Sequence, residues 1–132
     1  ELTKMPKAYF ADTGIRNLAV KYFAPFPENR DKGKLLENFV ASSLARRGDG
    51  VINYWRTKDR SEVDFVLRDY NGHITPIETK AIGLREPEVT RGLRAFIDKY
   101  KPREALVVNL SLEKRLKISS TQVKFVLPYG AW

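Results

Sequence analysis

Two short apolar runs, residues 62–67 and 74–80, flank Asp69-Tyr70-Asn71-Gly72, and each run carries a carboxylate where a strand usually carries Val, Ile or Phe. Asn-Gly is the favoured pair of a type I′ turn, so the runs predict a β-hairpin. Strand alternation puts Val63, Phe65 and Leu67 on one face and Glu62, Asp64 and Val66 on the other. Across the turn Glu78 and Lys80 share a face, two residues apart, with Pro76 straining the early pairing. A carboxylate inside such a run must be solvated, paired or bound to metal. The hairpin therefore predicts Asp64 close to Glu78.

The flanking sequence supplies the rest of a domain. Leu36, Phe39, Val40, Ser43 and Leu44 recur at helical spacing and predict a helix over 34–47, stopped by Gly48 and Gly50. Residues 51–55 are β-branched and aromatic and read as a strand. Val89, Leu93, Phe96, Ile97 and Tyr100 make one stripe, which predicts a helix over 86–101 with Pro87 in its first turn. Residues 105–110 are continuously apolar, as in a strand covered on both faces, and 123–127 read as a final strand. The order α-β-β-β-α-β, plus that terminal strand, packs most simply as one mixed central sheet flanked by helices, an α/β fold.

Residues 33–132 form this expected domain. Residues 1–32 read as a lead-in segment or linker lying across it, with a short strand at 7–11 and a turn at Asp12-Thr13-Gly14. Glu1 rather than Met at the start predicts that the chain continues from an upstream domain.

There are no cysteines, which excludes disulfides and thiolate zinc sites. Apolar runs all fall short of the ~20 residues that span a bilayer, so a soluble, cytoplasmic protein is expected. The net charge of +8 permits attraction to polyanions. Its excess lies in residues 83–132, with ten bases against five acids. Within that third, Arg91, Arg94 and Lys101 form a basic stripe that reads either as a solvated helix face or as a DNA contact.

An Asp, a Glu and a nearby Lys suit a hard divalent cation, Mg²⁺ or Mn²⁺, beside a phosphodiester. Asp64, Glu78 and the Thr79 backbone carbonyl are the candidate metal ligands. Lys80 would orient or deprotonate a water, and Glu37, at the margin of the first helix's apolar face, would reach in as a further ligand or water-positioner. Glu62 is a second candidate carboxylate. A bland reading stands beside this one: Glu78 and Lys80 as a same-face ion pair, and Glu62 or Asp64 paired with Arg56 or Arg60. His73 reads as a solvated turn residue. Tyr54-Trp55-Arg56 reads either as base-stacking and phosphate-gripping residues or as core and strand end.

With Glu37 on the first helix, Asp64 on the second strand and Glu78-Thr79-Lys80 on the third, the sequence resembles the PD-(D/E)XK nuclease-like superfamily. More narrowly, it resembles the uncharacterised nuclease-like domain C-terminal to P-loop (AAA-type) ATPase modules in archaea and bacteria. That likeness runs through Lys7-Ala8-Tyr9, Leu36-Glu37-Asn38-Phe39-Val40, Tyr54-Trp55-Arg56, Glu62-Val63-Asp64-Phe65-Val66 and Pro76-Ile77-Glu78-Thr79-Lys80. It implies a restriction-endonuclease-like αβββαβ core, Mg-dependent cleavage of DNA and an upstream ATPase domain as partner. The other implication is a catalytically inactive module that binds nucleic acid or docks on and regulates the ATPase. Gly33-Lys34 lacks the upstream glycine and the following Ser or Thr of a P-loop, so this chain is not expected to hydrolyse ATP itself.

Overall fold

After a short N-terminal arm, helix α1 (Thr13–Ala19) leads through a 3₁₀ turn at Phe26–Glu28 into helix α2 (Lys32–Arg47). Strands β1 (Gly50–Arg56), β2 (Glu62–Asp69) and β3 (Ile74–Thr79) follow, then helix α3 (Arg91–Tyr100). Strands β4 (Glu104–Val108), β5 (Lys114–Ile118) and β6 (Thr121–Val126) complete the chain. The computed structural model describes residues 7–130. One six-stranded mixed sheet has the order β1-β2-β3-β4-β6-β5. β1, β2 and β3 pair antiparallel, β3, β4 and β6 parallel, and β5 antiparallel to β6.

Each helix covers one face. On one side Leu36, Val40 and Leu44 of α2 pack on Phe65, Ile77, Leu106 and Val108. On the other, Leu93, Phe96 and Ile97 of α3 pack on Val63, Val66, Val107, Val123 and Phe125. β4 contributes alternate residues to both cores and is buried throughout its apolar length, which is why its sequence shows no polar face.

Five local expectations give way. The hairpin turn is closed by the Gly72 N–H donating to the Asp69 carbonyl, and Gly72 alone in it has positive φ (83°). Asn71 is not left-handed, so the turn is not type I′; a left-handed Gly after the turn is the longer-loop solution. The strict alternation of β2 also fails. Asn53 pairs with Val66 and Trp55 with Val63, so two steps on β1 face three on β2: a bulge at Asp64-Phe65. Val63 therefore joins Val66 against α3, while Phe65 and Leu67 face α2.

Helix α3 begins at Arg91 instead of near Pro87. Thr90 is its N-cap, with the hydroxyl accepting from the Leu93 N–H, and residues 86–89 stay in the loop. Asp12 is likewise an N-cap instead of a turn residue, and residues 7–10 are irregular instead of a strand. β5 was not expected at all. It alternates Leu116 and Ile118 with Lys117 at the sheet edge and turns into β6 through Ser119 at φ 53°. Charged side chains on an edge strand discourage pairing with other chains.

Candidate functional site

The β2 bulge and the end of β3 set the site. Asp64 Oδ2 accepts two hydrogen bonds from Thr79, from the N–H at 2.8 Å and from the hydroxyl at 2.9 Å. Thr79 thus meets Asp64 with its donors, where the sequence offered only its carbonyl as a metal ligand. Ile77 faces α2, so the next residue, Glu78, faces α3, and its Oε2 accepts from the Thr90 hydroxyl at 2.6 Å. Thr90 therefore joins the start of α3 to the carboxylate of β3. Gly92 lets the helix come this close, because a Cβ there would stand 2.2 Å from the Glu62 carbonyl oxygen. The result is a cleft of about 390 Å³ walled by Asp64, Glu78, Thr79, Thr90 and Arg91, with Arg60 at its rim.

Electrostatics mark the two acids out. Burial pushes the Asp64 carboxyl above its ordinary pKa, against the pull of the Thr79 hydrogen bonds, and Glu37 adds to the rise. Glu78, 8% exposed, is also raised by burial; the Thr90 hydrogen bond opposes this and the charge of Asp64 adds to it. Desolvation is the largest cause in both, ahead of the repulsion from Glu37 on Asp64 and from Asp64 on Glu78. Lys80 offsets part of the Glu78 shift, but its ammonium turns to Glu88, 3.1 Å away on the loop before α3.

Glu37 is engaged by the N-terminal arm, while its charge still reaches Asp64. Its Oε1 accepts from Lys7 Nζ at 2.9 Å and from the Tyr9 hydroxyl at 2.5 Å, both on the N-terminal arm. Its neighbour Asn38 fixes the same arm, accepting from the Phe10 N–H at 2.8 Å and donating to the Phe10 carbonyl at 3.1 Å. Burial works against the Lys7 ammonium, but the hydrogen bond and charge of Glu37 outweigh it and raise the Lys7 pKa. The Tyr9 hydroxyl is pushed up by burial and by the same carboxylate.

Of the basic candidates, Arg91 lines the cleft, Arg94 lies exposed one turn further along α3, and Arg56 sits 3.6 Å from Glu62 as an ion pair. Trp55 belongs to the core, edge-on to Phe96 and Tyr100, whereas Tyr54 is exposed. Thr90 was missed by sequence reasoning. Its signal was present as a Ser/Thr-type cap immediately before Arg91, masked by the competing Pro87.

Among the described residues no three acidic or histidine side chains form a metal-holding group. The donors on offer are two carboxylates, each receiving its hydrogen bonds on one oxygen only. Mg²⁺ commonly binds through one or two carboxylates with waters and phosphate oxygens completing its shell. The pair fits that minimal arrangement and not an all-protein cage.

Fold and site together define an α/β domain with one buried and one half-buried carboxylate, Glu78 and Asp64, at one end of a mixed sheet. Residues 32–132 match the domain of unknown function DUF4143, and the chain belongs to that family. No curated protein matches its sequence. Among solved structures it is similar to a chain of the refined half-complex from the tetradecameric assembly of Thermococcus gammatolerans McrB AAA+ hexamers with bound McrC. The TM-score is 0.57 at 13% identity, over 76% of this chain and 30% of that one, so the likeness is one of fold. No helix among the described residues is long and apolar enough to cross a membrane.

Proposed function

We propose that this chain is a nuclease-like domain working with a P-loop ATPase, in which Asp64 and Glu78 hold a divalent cation against a nucleic-acid phosphodiester. One observation carries the reading: two carboxylates are held largely out of water in one cleft, both with raised pKa, and among the described residues neither has a cationic side chain in hydrogen-bond contact. Such an arrangement costs stability and is typical of functional sites. When bound, the cation would polarise a phosphate oxygen and acidify a water. Arg91 and Arg60 stand where the phosphate's remaining charge would fall. The ATPase partner is supported by the sequence resemblance above and by the fold shared with a chain from an AAA+ assembly.

A second reading, a non-catalytic docking or binding module, draws on a different observation. Glu37 is held by Lys7 and Tyr9, and Lys80 by Glu88, so two of the four residues expected to act on a substrate are already paired. The test is thermal melting with Mg²⁺ or Mn²⁺, with and without an oligonucleotide. It is run beside cleavage of plasmid, single-stranded and branched DNA, with Asp64→Asn and Glu78→Gln as controls. Cation-dependent stabilisation that both variants lose, together with cleavage, supports the nuclease reading. Stabilisation without cleavage favours the binding module, and neither effect removes the metal site.

A further inference from the structure

Asp64 walls a second cleft, on the α2 side of the sheet, about 470 Å³ in volume and different in character. Its floor is Ala41, Ala45, Ile52 and Phe65, and the small side chains of α2 leave the space between helix and β1 unfilled. Three aromatic rings stand around it: Tyr9 and Phe10 from the arm and Tyr54 from β1, 36%, 39% and 41% exposed. Asn53 also lines it, and among the described residues its side-chain amide makes no hydrogen bond. Exposed rings beside small residues are costly to leave in water, and with a free amide beside them they are what an unstacked base uses: a π face to stack on and a donor–acceptor pair for its edge.

We infer that this cleft receives an unpaired nucleobase of the strand whose phosphate reaches Asp64. The inference rests on the proposed function and extends it to a substrate class, single-stranded or locally unpaired nucleic acid. Asp64 is the link, since it borders both clefts: a phosphate at the Asp64–Glu78 cleft brings the attached nucleoside to the mouth of the aromatic one. A continuous duplex keeps its bases stacked on each other and has no free ring to offer. The strand neighbours Tyr54 and Trp55 divide the labour that the sequence left open, with Trp55 in the core and Tyr54 at the cleft.

The test is fluorescence anisotropy of a labelled 12-mer, single-stranded and as a duplex of the same sequence, at low salt with Ca²⁺ in place of Mg²⁺, so that a cation still bridges phosphate and carboxylates while binding is read apart from cleavage. Wild type should prefer the single strand. Tyr54→Ala should weaken single-strand binding about 5- to 150-fold, the range for one lost base–aromatic stack. Duplex binding should not change, and Tyr54→Phe should restore the single-strand affinity. Tyr54 is exposed, so its truncation spares the core. Equal affinity for both forms, an equal loss on both, or no single-strand binding overturns the inference. Cleavage in Mg²⁺ that is indifferent to Tyr54→Ala would overturn the base cleft while leaving the nuclease reading intact. Tyr54-dependent binding without cleavage would do the reverse.

Discussion

Replacing Asp64 by Asn should stabilise the protein at neutral pH. The amide is isosteric and its oxygen can still accept from the Thr79 N–H and hydroxyl. Those bonds weaken from charge-assisted to neutral, a loss of about 1 kcal/mol each. Against this stands relief of the desolvation of a largely buried carboxylate, several kcal/mol per ion, and of repulsion from Glu37. The upward pKa shift records that the unfavourable side is larger, so a net gain and a higher Tm are expected. The pH dependence follows from the same sign. A carboxyl raised in the folded state holds its proton where the unfolded chain, titrating near pH 4, has released it. Stability therefore falls as pH rises from the unfolded value through the folded one, and is constant above. The Asn variant loses that fall, so its advantage should grow as pH rises from the unfolded value and vanish below about pH 4. Denaturant melts at pH 3.5, 5 and 7 read this directly. An Asp64→Asn protein less stable than wild type at pH 7 would show that Asp64 is a structural hydrogen-bond acceptor, and the functional-site argument built on its desolvation would fall.

Thr90→Val removes both the α3 cap and the hydrogen bond to Glu78, and should cost about 1 kcal/mol while raising the Glu78 pKa further, with Thr90→Ser restoring both; melts and carboxyl NMR titration check this. Gly92→Ala drives a methyl into the Glu62 carbonyl oxygen, a backbone contact that no rotamer relieves, so a loss of about 1–3 kcal/mol should appear as a lower denaturant midpoint. Asn38→Ala should speed hydrogen exchange at the Phe10 amide while leaving the Val107 amide protected, because only the arm loses its anchor.

The fold was readable wherever packing imposes a period. Leu36, Val40 and Leu44 recur at helical spacing because one face of α2 lies on the sheet, and β4 is apolar from Ala105 to Val108 because two helices sandwich it. The sequence was silent where the determinant is a single local contact. Nothing in Glu62-Val63-Asp64-Phe65-Val66 betrays the bulge, since the residues alternate acceptably; only the pairing of Trp55 with Val63 creates it. β5 offers only two apolar residues, Leu116 and Ile118, among three bases and turns through Ser119, where a left-handed φ would ordinarily advertise Gly or Asn. At α3, Pro87 presents the stronger signal and Thr90 wins, because its hydroxyl has two partners, the Leu93 N–H and Glu78.

The candidate site divides along the same line. Asp64 and Glu78 could be brought together on paper because a hairpin fixes their neighbourhood, whereas the partner of Glu37 lies about a quarter of the chain away and leaves no periodic trace. Both polar residues of Leu36-Glu37-Asn38-Phe39-Val40 prove to hold the arm: Glu37 by the side chains of Lys7 and Tyr9, Asn38 by the backbone of Phe10. The Lys7 ammonium also lowers the Asp64 pKa that Glu37 raises. The arm therefore supplies positive charge to the same acidic neighbourhood that a cation would neutralise. On the proposed function, arm and cation would act on Asp64 with the same sign, and the desolvation of Asp64 would be least costly with one of them in place. This electrostatic economy gives the arm a role beyond connection. It also offsets part of what burial and the Glu37 charge impose on the Asp64 carboxylate.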